Sequence, residues 1–271
     1  MGKVTVSGRI ALITGGARGM GLLWAEHLVK DHSRVVLWDL DGAELERAAE
    51  RIQSLGGSVL TQVVDVTDRA AVYAAAVAAQ SQMGPIDILI NNAGIVAAGK
   101  FTEMPDEKLS ATIDVDVKAL LWTMKAFLPG MIERGAGNII NISSASGFIG
   151  VPYMPAYAAS KWAVIGMTES LRLEMELEGH TGIKFTLFCP SYVDTGMFAG
   201  VKPPLLTPIL TPEIAVKRAY KAFRRGDYFI LEPFIVKFTP ALKALLPRGI
   251  FDRVSDILGV NTSAKGVHGR K

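Results

Sequence analysis

A single cysteine, Cys189, occurs in the 271 residues, so the chain can close no disulfide of its own. It precedes Pro190 at the end of an apolar run, which reads as a buried, inert thiol. No apolar run reaches the roughly 18 residues needed to cross a bilayer. The opening residues, Met1-Gly2-Lys3-Val4-Thr5-Val6, lead toward a strand without a secretory apolar region. Val6, where a Ser or Thr would be needed, breaks the myristoylation pattern. These absences argue against a secreted disulfide-built module, and a cytoplasmic protein is expected. Net charge is also small, at +3. It is unevenly placed: Val201 to Lys271 holds 13 Lys/Arg against 5 Asp/Glu, a balance of +8 that leaves −5 for the first 200 residues. Such asymmetry can mark contact with an anionic surface, although a solvated basic face is the plainer reading. Nothing resembles a nucleic-acid-binding module, and neither a nucleic acid nor a metal is expected as a partner.

Turns are abundant, with 27 glycines, and several of them are grouped. Arg9 to Ile13 is a short apolar run, followed by Thr14-Gly15-Gly16-Ala17-Arg18-Gly19-Met20-Gly21 and a helical pattern from Leu22 to Lys30. Strand, glycine turn and helix in that order make a phosphate-binding context. Glycines let the backbone approach a pyrophosphate, and the helix start offers free N–H groups at the positive end of its dipole. The second strand, Arg34 to Asp39, ends on a carboxylate about 20 residues past the turn, where it can bond both ribose hydroxyls. A 2′-phosphate would be repelled there, so Asp39 favours NAD(H). Arg18 argues mildly for a phosphate, and a plainer alternative has Arg18 and Asp39 pairing with each other.

The pattern repeats. Ala43 to Leu55 reads as an amphipathic helix stopped at Gly56-Gly57, and Val59 to Val64 as a third strand followed by Asp65-Val66. Arg69 to Met83 is an alanine-rich helix, and Ile86 to Ile90 a fourth strand running into Asn91-Asn92-Ala93-Gly94. A long helix is expected over Leu109 to Met131, broken at Pro129-Gly130. Strands are expected at Asn138 to Ser143, Ile183 to Phe188 and Asp227 to Leu231, with a helix from Tyr157 to Leu177. Alternating β and α units with short turns imply an α/β fold with a Rossmann-like, doubly wound, parallel seven-stranded sheet and helices on both faces. No linker divides the chain, so one domain is expected over 1–271. Its parts are a cofactor-binding and catalytic core over 1–195, a substrate loop and last strand over 196–233, and an extension over 234–271.

Tyr157 and Lys161 are four residues apart and therefore share a helix face. A cation beside the phenol favours its ionised form, and a tyrosine so tuned can exchange a proton with a carbonyl or alcohol oxygen. Ser144, after the apolar run Asn138 to Ile142, can hold the same oxygen. An isolated Tyr-x-x-x-Lys is common by chance and reads as an exposed pair. The dinucleotide signals upstream lift it above that.

The chain closely resembles the classical short-chain dehydrogenase/reductase family. The resemblance covers about the first 195 residues: TGGARGMG (14–21), Asp39, Asp65-Val66, NNAG (91–94), Ser144, YAASK (157–161) and PSYVDT (190–195), with thirteen residues from Ser144 to Tyr157. It implies that Tyr157 is the general acid/base and that Lys161 lowers its pKa and binds the nicotinamide ribose, while Ser144 polarises the substrate oxygen. Gly15, Arg18, Gly19, Met20 and Gly21 would line the pyrophosphate, Asp39 the adenosine ribose, and Asp65 and Val66 the adenine. Asn92 would lie along the adenosine side, and Val193 and Thr195 would orient the nicotinamide amide.

Asp116 stands where the family usually has an asparagine that completes a proton relay. An ionised aspartate accepts hydrogen bonds but cannot donate them. Close to Lys161 it would form a pair and weaken the lysine's pull on Tyr157. An altered but working relay is the preferred expectation, reduced catalysis the other. Ser191 replaces the glycine of the family's Pro-Gly turn. Tyr192, Phe148, Met154, Met197 and Phe198 are candidates for the wall of a bulky apolar pocket. The extension from Phe234 looks amphipathic and is loosely similar to the tails of short-chain enzymes acting on steroids and retinoids. A lid or an oligomer contact is its expected use, ahead of a membrane-surface element, and a homodimer or homotetramer is the expected assembly. The function expected is an NAD(H)-dependent oxidoreductase interconverting a small lipophilic secondary alcohol and its ketone. The alternatives are an NADPH-dependent carbonyl reductase and a non-catalytic dinucleotide-binding or lipid-surface protein.

Overall fold

The structure is a computed structural model that describes residues 2–267; Met1 and residues 268–271, the end of the expected extension, lie outside the described part. Seven strands, β1 (Ile10–Thr14), β2 (Arg34–Asp39), β3 (Val59–Val63), β4 (Ile88–Asn91), β5 (Gly137–Ile142), β6 (Ile183–Pro190) and β7 (Phe229–Glu232), form one sheet. Their order is β3-β2-β1-β4-β5-β6-β7, and every neighbouring pair is parallel. The expected Rossmann-like α/β architecture is the one observed. β1 and β4 are buried along their whole length, because helices cover both faces of a parallel sheet and the strands must be apolar on both sides.

Helices α1 (Gly19–Lys30), α2 (Gly42–Ser54) and α7 (Pro212–Arg225) bury one face of the sheet. Helices α3 (Arg69–Met83), α5 (Ala119–Glu133) and α6 (Pro155–Leu177) bury the other. On the first face Trp24 of α1 packs edge-on against Tyr220 and Phe223 of α7. On the second Trp38 of β2 meets Phe127 of α5 and donates to Gln62 at 2.7 Å. Helices α8 (Thr239–Leu245) and α9 (Arg248–Ile257) belong to the extension, with the turns that follow them. Among the described residues no helix is long and apolar enough to cross a membrane.

Three local expectations change. Pro129 does not break the long helix, because α5 runs through it to Glu133. The proline costs one intrahelical hydrogen bond, and burial of Phe127, Leu128 and Met131 offsets that loss. The irregularity falls earlier, in a single π turn at Asp114–Lys118 that joins α4 (Asp106–Ile113) to α5. Helix α7 was not expected at all, although it carries local signals. Thr211 caps its start by accepting the Ile214 N–H at 3.4 Å, and Gly226 ends it at φ 85°. β7 begins at Phe229, two residues later than its pattern suggested.

Candidate active site

A cleft of about 540 Å³ opens at the carboxyl ends of the strands, where the order reverses between β1 and β4. Gly15, Arg18, Gly19 and Met20 line it, together with Asp39, Asp65, Val66, Asn92, Val193 and Thr195. Gly15 (φ 62°) and Gly19 (φ 55°) adopt the left-handed conformation that makes the turn tight. Gly21 does not line the cleft, contrary to expectation. It lies beneath the turn, where a β-carbon would come 2.1 Å from the Gly15 carbonyl oxygen. Its missing side chain lets α1 start close under the turn. Arg18 occupies the cap position of α1 without a side-chain cap bond, which leaves N–H groups of the first turn available to an anion. Asn92 pins the turn from below, donating to the Thr14 and Gly15 carbonyls at 3.0 Å each. Thr14, the first residue of the glycine motif, accepts the Asn92 and Ala93 N–H groups through Oγ1, again at 3.0 Å each.

The Asp39 carboxylate is fixed at the cleft by the N–H groups of Ala17 (3.2 Å) and Asp41 (3.3 Å). Arg18 does not pair with it. The guanidinium lies 3.7 Å from Asp41 instead, in a solvent-exposed contact of little energetic weight. Asp65 accepts from Thr67, through both its N–H and its hydroxyl.

Helix α6 brings Tyr157, Ser160 and Lys161 to the inner end of this cleft. The Lys161 ammonium lies 5.3 Å from the centroid of the Tyr157 ring and donates to the Ile142 carbonyl at 3.4 Å. Ser144, just past β5, accepts the Ser146 N–H at 3.2 Å and donates to the Pro190 carbonyl at 3.3 Å. With an N–H already on its oxygen, Ser144 offers a donor proton, which a substrate oxygen can take over from Pro190. The π turn presents Asp116 to the same centre. Its Oδ2 lies 3.3 Å from Lys161 Nζ and accepts the Ser160 hydroxyl at 3.0 Å. Its Oδ1 accepts the Ile95 N–H at 2.9 Å. Asp116 is fully buried and stands behind Lys161 rather than on the cleft wall. Gly94 closes over the pair, since a β-carbon there would come 3.3 Å from Asp116 Oδ1 and 3.6 Å from Lys161 Nζ. Ser160 falls inside the YAASK block, but only the fold brings it and the Ile95 N–H to Asp116.

The expected lowering of the Tyr157 pKa by Lys161 is not found in the protein alone. Burial drives the phenol above its ordinary value, the Asp116 carboxylate adds to the rise, and a hydrogen bond with Ser144 opposes it. The physical reason is that Lys161 is paired with Asp116, so little net positive field reaches the phenol and desolvation of the phenolate prevails. Tyr157 is therefore a neutral proton donor. Cys189, buried on β6, is pushed up by burial to about 12, as an inert thiol should be.

A smaller cavity of about 80 Å³ adjoins the cleft and shares Ser144, Tyr157, Ser191 and Phe198 with it. Met154, Tyr192, Val236 and Val260 contribute apolar walls. The Phe198 ring stacks edge-on against both Tyr157 (5.7 Å) and Tyr192 (5.2 Å). Tyr192 is latched to the extension by a 2.8 Å hydrogen bond with Ser263. Of the five candidate wall residues, Tyr192, Met154 and Phe198 line this cavity. Met197 lines the cleft instead, and Phe148 packs on Phe229 in the core. The extension thus supplies part of the cavity wall, through Val236, Thr239, Val260 and Ser263.

Comparison with known proteins agrees with this geometry. The short chain dehydrogenase family model matches residues 9–205. Epidermal retinol dehydrogenase 2 of Mus musculus is 37% identical over 99% of this chain and 88% of its own length. Estradiol 17-beta-dehydrogenase 11 of Homo sapiens is 37% identical over 90% of this chain and 81% of its own. A short-chain dehydrogenase/reductase from Burkholderia phymatum, solved in complex with NAD, superposes with a TM-score of 0.80 at 25% identity, covering 89% of this chain and 94% of that one. A metagenomic short-chain oxidoreductase in complex with NADP superposes at 0.70 and 29% identity, over 84% and 98%. With the glycine turn, the serine–tyrosine–lysine centre and more than half the chain matched, the protein belongs to the short-chain dehydrogenase family, oxidoreductases that act on CH–OH groups with NAD(P).

Proposed function

We propose that this chain is an NAD(H)-dependent dehydrogenase/reductase interconverting a lipophilic secondary alcohol and its ketone. One observation carries the reading: Ser144 and Tyr157 lie on the shared boundary of the dinucleotide-sized cleft and the apolar cavity. The cleft suits a dinucleotide, since its glycine turn is too tight for side chains and the uncapped start of α1 faces an anion position. Gly15, Arg18, Gly19 and Met20 would hold the pyrophosphate, Asp65 and Val66 the adenine, and Val193 and Thr195 the nicotinamide side. The fixed Asp39 carboxylate would receive the adenosine ribose hydroxyls and repel a 2′-phosphate. When bound, the nicotinamide accepts or supplies the hydride.

The protein's own part is the proton. Ser144 donates to the substrate oxygen and holds it against Tyr157. In reduction the neutral Tyr157 gives its proton to that oxygen and is left as the phenolate; in oxidation the phenolate takes the proton back from the alcohol. Lys161 would orient the ribose, and Asp116 holds Lys161 in place. A lipophilic substrate is supported by the apolar cavity and by the relatives named for retinol and estradiol. Tyr157→Phe is expected to lower turnover by at least about a hundredfold and leave NADH affinity unchanged. Turnover retained in that variant would refute the mechanism. The second reading, an NADPH-dependent carbonyl reductase, rests on Arg18 at the cleft, and assays with both cofactors decide between the two.

A further inference from the structure

The extension is well anchored at both ends and sparsely in the middle. At its start Val236 is buried. Near its end Ser263 bonds Tyr192 at 2.8 Å, and its carbonyl accepts the Lys202 N–H at 3.0 Å. Between them, from Ala241 to Ile250, every residue is exposed except Lys243 and Leu246, which are half-buried. A segment with so few buried contacts opens locally unless something fastens it. Lys243 carries the polar contacts from this stretch to the body of the protein. Its ammonium donates to the Phe148 carbonyl at 2.8 Å and lies 4.0 Å from the centroid of the Trp162 ring. Trp162, the residue after Lys161 on α6, donates in turn through Nε1 to the Ile149 carbonyl at 3.4 Å. Lys243, Trp162 and the Phe148–Ile149 backbone thus close a clasp between α8, the catalytic helix and the turn that begins at Ser144.

The clasp bears directly on the substrate cavity. Ile149 lines it, and so does Thr239, which stands one helical turn before Lys243 on the same face of α8. Val236, in the short 3₁₀ turn (Phe234–Phe238) that leads into α8, lines it too. Partial burial pushes the Lys243 ammonium below its ordinary pKa, so its contacts must make up for lost water. Those contacts are a carbonyl and an indole face, and both are directional. They fix the angle of α8 as well as its distance from α6.

We propose that Lys243 is a positioning residue for substrate specificity: by clasping α8 to Trp162 and Phe148 it holds the wall formed by Val236 and Thr239 opposite Ile149. It thereby sets the affinity for alcohols large enough to reach that wall. The specificity rests on the reading of a lipophilic alcohol above, whereas the clasp itself does not. The test pairs kinetics with amide hydrogen exchange on the full chain. Lys243→Met keeps the apolar stem and removes the cation. It should raise KM for a bulky secondary alcohol about tenfold, the loss expected for one charged contact, while kcat and the KM for isopropanol stay within about twofold. In the same variant the amides of α8 should exchange about tenfold faster or more, and those of β1 and β4 at the wild-type rate. Lys243→Arg, which keeps the cation and can stack on an indole, should restore both readouts. In a Trp162→Leu background Lys243→Met should add little, because the two side chains act through one contact. A KM that stays in place, or a rise shared equally by the two alcohols, overturns the positioning role. Unchanged exchange in α8 overturns the clasp. A wild type that oxidises no alcohol overturns the proposed function, and the exchange of α8 then decides the clasp by itself.

Discussion

Replacing Asp116 by asparagine tests the electrostatic account most directly, because it removes one charge and keeps the shape. Asp116 Oδ2 is 3.3 Å from Lys161 Nζ, which is 5.3 Å from the Tyr157 ring, so the carboxylate lies no more than about 9 Å from the phenol. With an effective dielectric near 20, a unit charge at that distance is worth about 2 kcal/mol, or a little over one pH unit. The sign follows from the cause. Asp116 helps to raise the Tyr157 pKa, and removing it frees Lys161 to act on the phenol, so both changes favour the phenolate. Oxidation needs Tyr157 as a base, and its kcat/KM should therefore rise at a pH about one unit lower in Asp116→Asn than in the wild type. The maximal rate should stay within about tenfold, since Ser144, Tyr157 and Lys161 remain. An asparagine oxygen can keep the Ile95 N–H, but Lys161 loses its counter-ion, and stability should fall by about 1–3 kcal/mol. Oxidation profiles from pH 6 to 10.5 and denaturant midpoints check both. A profile that stays in place or moves upward refutes the reasoning, and a rate loss far beyond tenfold would give Asp116 a direct part in proton transfer.

Asp39→Ala should weaken NAD(H) binding and relax the preference over NADP(H), by tenfold or more in the ratio of kcat/KM for the two cofactors, because the repulsive charge is gone. Gly21→Ala should lose dinucleotide affinity and several kcal/mol of stability, since its β-carbon would collide with the Gly15 carbonyl; calorimetry and fluorescence titration with NADH read both. Tyr192→Phe breaks the latch to Ser263 and should cost about 1 kcal/mol of stability. It should alter KM more than kcat for bulky alcohols.

The sheet, the order of its β and α units and the residues of the glycine turn were legible along the chain. Local patterning carries them: apolar runs buried on both sides, glycines where the backbone must turn tightly, and a carboxylate closing β2. Tyr157 and Lys161 were legible for the same reason, since one helical turn sets their spacing. Helix α7 has its own local signals in Thr211, Pro212 and Gly226, but the long irregular stretch before it gives no periodic pattern that leads into them. Other features depended on parts of the chain that meet only in three dimensions. Asp116 lies 44 residues from Ser160, and Tyr192 lies 71 from Ser263. Whether Arg18 pairs with Asp39 or Asp41 turns on a few ångström in a loop that no periodicity describes. The acidity of Tyr157 shows the division most clearly. The sequence places a cation beside the phenol, which by itself would lower its pKa. The tertiary structure buries both groups and gives the cation a counter-ion, and desolvation then outweighs the charge.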